Sequence, residues 1–132
     1  MITSIGSRFQ KDLNAGTLAL VLLATVAGSD EDLYGYDISR RLRSLGPDGE
    51  SPFAEGSLYP VLRSLSAAGL LTSRIVPSYA GPPRRYYRIT ELGRETLSEW
   101  SARWNTTRVF VDNCLDGYAP RILESTRILE SE

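Results

Sequence analysis

The chain has 132 residues, 42% hydrophobic and 23% charged, with no histidine, a single cysteine and a net charge of −1. That length supports one domain, with room for an appended helix, and the composition is that of a globular chain rather than a disordered one. Without histidine the commonest general base, the usual catalytic triads and most zinc sites are excluded; the lone Cys114 cannot close an internal disulfide, which fits a reducing cytoplasm.

Charge is distributed unevenly. Residues 34–88 carry eight arginines against four acids, a net +4, while residues 1–33 sum to −2 and residues 89–132 to −3. A basic middle between acidic flanks suits a segment that meets phosphate, held by helices that pair with protein.

In chain order, residues 1–12 read as a polar N-terminal arm. From Leu13 to Ala27 apolar residues fall on nearly every side of a helical wheel, so this helix needs cover all round, more than a chain this small supplies and most simply provided by a second copy. Arg8 and Lys11 ahead of the run Leu18 to Ala27 superficially resemble a signal peptide. Asp12 and Asn14 abut the run, however, and the run is too short to cross a bilayer, so a cytoplasmic chain without a membrane partner is expected. A second helix is predicted over Tyr34 to Leu45, with Ile38, Leu42 and Leu45 as its inward stripe. Gly46-Pro47-Asp48-Gly49 breaks it.

A third helix opens near Gly56-Ser57, with Ser57 as N-cap and Pro60 tolerated in the first turn, where amides lack intrahelical partners. Leu58, Leu62 and Leu65, with Val61 beside them, face inward; Ser57, Tyr59, Pro60, Arg63 and Ser64 are left for solvent or DNA. Gly69 is the expected C-terminal cap. Residues 71–77 and 84–90 then form a β-hairpin whose turn is confined by Pro77, Gly81, Pro82 and Pro83. Its return strand alternates Arg85, Tyr87 and Ile89 with Arg84, Tyr86 and Arg88. A helix followed by a basic hairpin is the core of a winged helix-turn-helix, in which the helix enters the DNA major groove and the wing touches phosphates.

A last helix is predicted from Glu91 to about Tyr118, with Thr90 as N-cap and Gly117 and Pro120 as its end; residues 119–132 form a charged tail. Leu97, Trp104, Val111 and Tyr118 repeat every seven residues, with Trp100, Thr107 and Cys114 interleaved, which makes a helix–helix seam. The domain reading is therefore an arm (1–12), a winged helix-turn-helix (13–90), a dimerisation helix (91–118) and a tail (119–132). The fold class is mainly α with a two-stranded β-wing.

Leu13-Asn14-Ala15-Gly16-Thr17-Leu18, Tyr34-Gly35-Tyr36-Asp37-Ile38, Gly56-Ser57-Leu58-Tyr59-Pro60, the stretch Leu65 to Leu71, and Gly81 to Thr90 with Gly93 follow one another in order. In that order, over residues 13–105, the chain resembles the PadR-like family of winged helix-turn-helix transcriptional regulators. The resemblance implies a homodimeric repressor whose first and last helices form the dimer interface, of the smaller subgroup with a single C-terminal helix. The chain departs from the family pattern at the acidic Asp30 to Asp32, the loop Gly46 to Pro52 and the tail.

The candidate DNA-contacting residues are Tyr36, Ser57, Tyr59, Pro60, Arg63, Ser64, Arg84 and Arg85. Arg63 can grip a guanine edge with two hydrogen bonds, and Arg84 or Arg85 can neutralise phosphate or enter the minor groove. Tyr36 either reaches a phosphate or packs between helices; Arg88 is expected to pair with Asp37 or Glu91. Leu97, Trp100, Trp104, Val111 and Cys114 form the candidate dimer seam. By the resemblance, Trp104 falls where some drug-responsive members stack flat ligands, and the alternative is that both tryptophans simply fill the interface core. The expected partners are thus a pseudo-palindromic double-stranded operator, a second copy and a small aromatic or drug-like effector, with no cofactor, metal or catalytic residue. A winged-helix protein-interaction module without DNA binding is the alternative.

Overall fold

The structure, a computed structural model, describes the backbone of residues 2–131 and the side chains of residues 4–118. The chain divides into two units, residues 1–98 and 99–132. In the first, α1 (Ile2–Ala27) is followed by β1 (Leu33–Tyr34), α2 (Gly35–Leu45), a short 3-10 turn (Glu55–Ser57), α3 (Leu58–Ala67), β2 (Leu71–Val76) and β3 (Arg84–Ile89). The last helix, α4 (Glu91–Ser131), begins in the first unit and makes up the described part of the second.

The core forms where the inward faces of three helices meet the sheet. Leu18, Leu22 and Val26 recur at helical spacing on α1 and are buried with Leu23, Ile38 and Leu42, and with Leu58, Leu62 and Leu65 of α3. Leu33, Leu71, Tyr87 and Ile89 close the sheet side. Val61, expected beside the α3 stripe, is half-buried. Leu45 departs from its expected inward stripe and is 78% exposed. It occupies the last position of α2, a turn beyond Leu42, where the helix has outrun the side chains that cover Ile38 and Leu42.

From Ile2 onward the arm expected over residues 1–12 is helical instead, as the opening turns of α1. Ile5, Phe9 and Leu13 stand at i, i+4 and i+8, a stripe too sparse among polar residues to read as a helix, and all three remain exposed. At the other end, α4 continues through Gly117 and Pro120 to Ser131. Each of those residues imposes only a local penalty, one of backbone entropy and one of a lost hydrogen bond, and the Leu, Glu and Arg residues beyond favour helix. Side chains beyond Tyr118, where the charged tail was expected, lie outside the described residues.

The local signals that set the remaining boundaries are explicit. The N–H of Tyr34, at the N-cap of α2, donates to Asp37 Oδ2 at 3.3 Å. This also places a carboxylate in the first turn, where the helix dipole favours it. Ser57 does not cap α3; it is helical itself, and its hydroxyl donates to Ala54 O at 2.6 Å because the 3-10 turn runs straight into the helix. Gly69, at φ +79°, ends α3. The N–H of Leu70 donates to Leu65 O at 2.9 Å and that of Gly69 to Ser66 O at 3.0 Å, the paired bonds of a Schellman cap. Thr90 caps α4 as expected, its hydroxyl accepting from the Gly93 N–H at 2.9 Å.

The sheet has three antiparallel strands in the order β1-β3-β2, one more than the two-stranded wing expected. β2 and β3 pair from Leu71↔Ile89 to Val76↔Arg84, while β1 adds only Leu33↔Tyr87 and Tyr34↔Tyr86. Two residues carry no readable alternation, so this strand leaves no periodic trace in the sequence.

Candidate nucleic-acid interface

Five of the eight side chains singled out for DNA contact come together. Tyr36, Tyr59, Arg63, Arg84 and Arg85 line one open groove of about 430 Å³, together with Tyr34, Gly35, Pro83 and Tyr87. A neighbouring hollow of about 310 Å³ shares Arg63, Arg85 and Tyr87 and adds Ser66 and Ser73. The start of α2 forms one wall, α3 the floor and β3 with its turn the other wall. Ser57, Pro60 and Ser64 lie outside this lining, and the Ser64 hydroxyl donates back to Pro60 O at 3.1 Å.

Close backbone approach sets the geometry. A Cβ on Gly35 would stand 2.6 Å from Tyr59 Cε1 and 3.0 Å from its hydroxyl, so the ring of Tyr59 lies over the glycine and ties α3 to α2. Tyr36 is half-exposed and lines the groove rather than packing between helices. The guanidiniums of Arg40 and Arg43 each lie 5.9 Å from its ring centre. On the wing, Arg84 stacks over Tyr34 at 4.7 Å, and Tyr34 meets Tyr86 at 5.4 Å between centroids. Arg85 Nη1 donates to Ser73 Oγ on the paired strand at 3.0 Å, which steadies it near the groove. Arg84 and Arg85 point to opposite faces, as alternation requires, yet both reach the lining, because Arg84 folds toward Tyr34 at the sheet edge.

The arginines fall into two electrostatic groups. Arg40 pairs with Asp37 at 3.8 Å, Arg43 with Glu55 at 3.9 Å, and Arg74 and Arg88 share Asp32 at 2.9 and 2.7 Å. Among the described residues the three arginines in the groove, Arg63, Arg84 and Arg85, have no carboxylate partner; Arg8, Arg41 and Arg94 lack one as well and lie outside the groove lining. Burial pushes the Tyr87 hydroxyl up from its ordinary value, against the pull of the Arg85 and Arg63 charges beside it. The groove is therefore a positive, aromatic-walled surface with unspent hydrogen-bond donors. No group of His, Cys, Asp or Glu among the described residues could hold a metal ion.

One expectation is corrected. Arg88 pairs with Asp32 and not with Asp37 or Glu91, since β1 brings the preceding Asp32 across the sheet while Asp37 turns toward Tyr34 and Arg40. On the candidate seam, Cys114, Trp104 and Val111 are exposed in the single chain, and Leu97 and Trp100 are half-buried. Tyr34, Gly35, Pro83 and Tyr87 were missed as groove residues. The Tyr34-Gly35-Tyr36 triplet was a usable signal, a glycine between aromatics at a helix start where another side chain must come close. No helix among the described residues is long and apolar enough to cross a membrane.

Comparison with known proteins agrees with this geometry. Residues 22–99 match the model of the transcriptional regulator PadR-like family. A PadR family transcriptional regulator from Eggerthella lenta superposes with a TM-score of 0.73 at 32% identity, over 86% of this chain and 95% of that one. A PadR-like transcriptional regulator from Bacillus cereus gives 0.62 at 33%, over 79% and 96%. Bacillus subtilis PadR in complex with operator DNA shares the fold, with a TM-score of 0.55 at 24% identity over 64% of this chain and 47% of that one. The family's members are transcriptional regulators and not enzymes, and this chain, a winged helix-turn-helix followed by a long helix, belongs to the PadR-like family of transcriptional regulators.

Proposed function

We propose that the protein is a cytoplasmic homodimeric repressor that reads a pseudo-palindromic operator through the groove and the exposed face of α3. The observation that carries this reading is the groove's own charge: none of its three arginines, Arg63, Arg84 and Arg85, has a carboxylate partner among the described residues, and they converge there with Tyr36 and Tyr59. Arg63 reads a base edge, Arg84 and Arg85 neutralise phosphates flanking the wing, and Tyr36 and Tyr59 supply hydroxyl donors. Pro60 and Ser64 on α3, and Ser57 in the 3-10 turn before it, are exposed or half-exposed and complete the contact surface. The operator complex of Bacillus subtilis PadR, which shares the fold, supports DNA as the partner.

The stripe Leu97, Trp100, Trp104, Val111 and Cys114 forms the dimer seam, and a flat aromatic effector stacking on Trp104 there releases DNA by favouring a spacing of the two recognition helices other than one helical turn (~34 Å). The test is fluorescence anisotropy on duplex DNA from upstream of the protein's own gene against a scrambled duplex, at two salt concentrations. Tight, salt-sensitive binding to the native duplex alone is expected. Absence of binding to either duplex at low salt would move the assignment to a protein-interaction module.

A further inference from the structure

The groove has two walls that belong to different parts of the chain, and little backbone pairing joins them. One wall is the β1–α2 junction, with Tyr34, Gly35 and Tyr36; the other is the wing, with Pro83, Arg84 and Arg85. β1 meets β3 through two residue pairs only. Just ahead of β1 stands Asp32, its side chain only 10% exposed although the guanidiniums around it are open to solvent. Its Oδ1 accepts from Arg88 Nε on β3 at 2.7 Å, and its Oδ2 from Arg74 Nε on β2 at 2.9 Å. One carboxylate thus spans the sheet from the edge of β1 to the far strand. The hydrogen bonds from Arg88, then Arg74, hold its pKa below the usual aspartate value despite its burial. Arg74 also lies over the Tyr86 ring at 5.2 Å, and Tyr86 packs on Tyr34, so the clamp and the aromatic stack brace the same junction.

We propose that Asp32 is a positioning residue that fixes the span between the β1–α2 wall and the wing wall of the groove, and so sets its fit to duplex DNA. The inference rests on the DNA reading of the groove. Its sign separates it from simple electrostatics. Asp32 shares its hollow with Asp30, Glu31, Arg74, Val76, Tyr86 and Arg88, and a carboxylate among them repels phosphate and neutralises two arginines. A bystander of that kind weakens DNA binding, so its removal tightens it; removing a clamp loosens the wall that carries Tyr34 and Tyr36, and binding weakens.

The test compares wild type, Asp32→Asn and Asp32→Glu on a labelled mixed-sequence duplex at low salt, after thermal melts at the assay pH. Losing two charge-assisted bonds predicts binding about tenfold weaker for Asp32→Asn, against the added positive charge, with substantial recovery in Asp32→Glu. In an Arg74→Gln/Arg88→Gln background, Asp32→Asn brings no further loss. Unchanged or tighter binding by folded Asp32→Asn, or a steeper salt dependence as the freed arginines join the phosphate contacts, overturns the proposal. Should Asp32→Asn not fold, Arg74→Gln, which leaves the Arg88 bond in place, carries the same comparison. Hydrogen exchange of the segment 32–38 gives a readout without DNA: faster exchange there in Asp32→Asn, with β2 and β3 unchanged, is expected. If wild type binds no duplex, the DNA reading fails by itself, and unchanged exchange across 32–38 would dispose of the clamp.

Discussion

Residues 13–89 and residues 101–118 spend their apolar side chains in opposite ways. In the first stretch most leucines at helical spacing, Leu13 and Leu45 excepted, disappear into one core, and Ser66 Oγ is the single buried side-chain polar atom without a partner among the described residues. In the second every side chain is exposed, including Trp104, Val111, Leu115 and Phe110, the last of them 70% exposed. The first stretch carries its own reason to fold. The second is a helix of ordinary propensity whose apolar groups gain nothing until something covers them, which under the proposed reading is a second copy.

The largest effects should fall on either side of that division. Leu62 is fully buried at the centre of α3, and Leu62→Ala is expected to cost about 2–5 kcal/mol in chemical denaturation, as the transfer and cavity terms require. A cost under about 1 kcal/mol would mean that α3 is less well packed than its burial implies. Trp104→Glu should leave the helical circular dichroism nearly intact and raise the dimer dissociation constant on the order of thirtyfold or more in sedimentation experiments. An unaltered association constant would remove Trp104 from the seam.

Next in size is Gly35→Ala, a change within the first region that acts on the groove. The added methyl would stand 2.6 Å from Tyr59 Cε1, so the ring has to leave its place between α2 and α3. Overpacking of this kind costs about 1–3 kcal/mol. Tyrosine fluorescence and duplex binding should both change, and a Gly35→Ala protein with native stability and native DNA affinity would show that Tyr59 has room elsewhere.

Much of this fold was legible because each element carries a local physical signature. Leu58, Leu62 and Leu65 gave α3 its inward face, Gly69 its end and Thr90 the start of α4; the Pro77 to Pro83 turn with alternating residues after it gave the wing. What escaped lacked a periodic signal or depended on contacts distant in sequence. β1 is two residues long, so only its pairing with Tyr86 and Tyr87 defines it. Leu45 fits the stripe of α2 by angle, but angle says nothing about where the covering neighbours stop. Charge counting found the basic segment, yet four of its eight arginines are paired with carboxylates, and one such partner, Asp32, lies outside the segment counted. The groove set was therefore visible as residue types and invisible as a selection among them.

That selection makes a finer prediction within the same region. Arg84→Gln should lower the slope of log affinity against log salt by about 0.9, one phosphate's worth of counterion release. Arg40→Gln removes an equal charge, but one that Asp37 neutralises at 3.8 Å, and should change the slope by much less. Equal slopes for the two variants would erase the distinction between paired and free arginines.

The smallest expected effect concerns pH, and its sign follows from the Asp32 clamp. Arg88 and then Arg74 hold the folded-state pKa of this carboxyl below its ordinary value. A depressed carboxylate pKa means that the folded state binds the proton more weakly than the unfolded chain does. The stability contributed is therefore fully present above the unfolded-chain value and is lost as pH falls through the lower folded value. At neutral pH wild type should melt above Asp32→Asn, and the gap should persist through mildly acidic buffers and close only at pH values below the ordinary aspartate range. With both guanidiniums solvent-exposed, the gap is small, on the scale of a charged hydrogen bond screened by water. A gap that does not narrow as pH falls below that range would mean that Asp32 titrates alike in the folded and unfolded chain and that the two arginines do not hold it, which would also remove the brace between β1 and the wing.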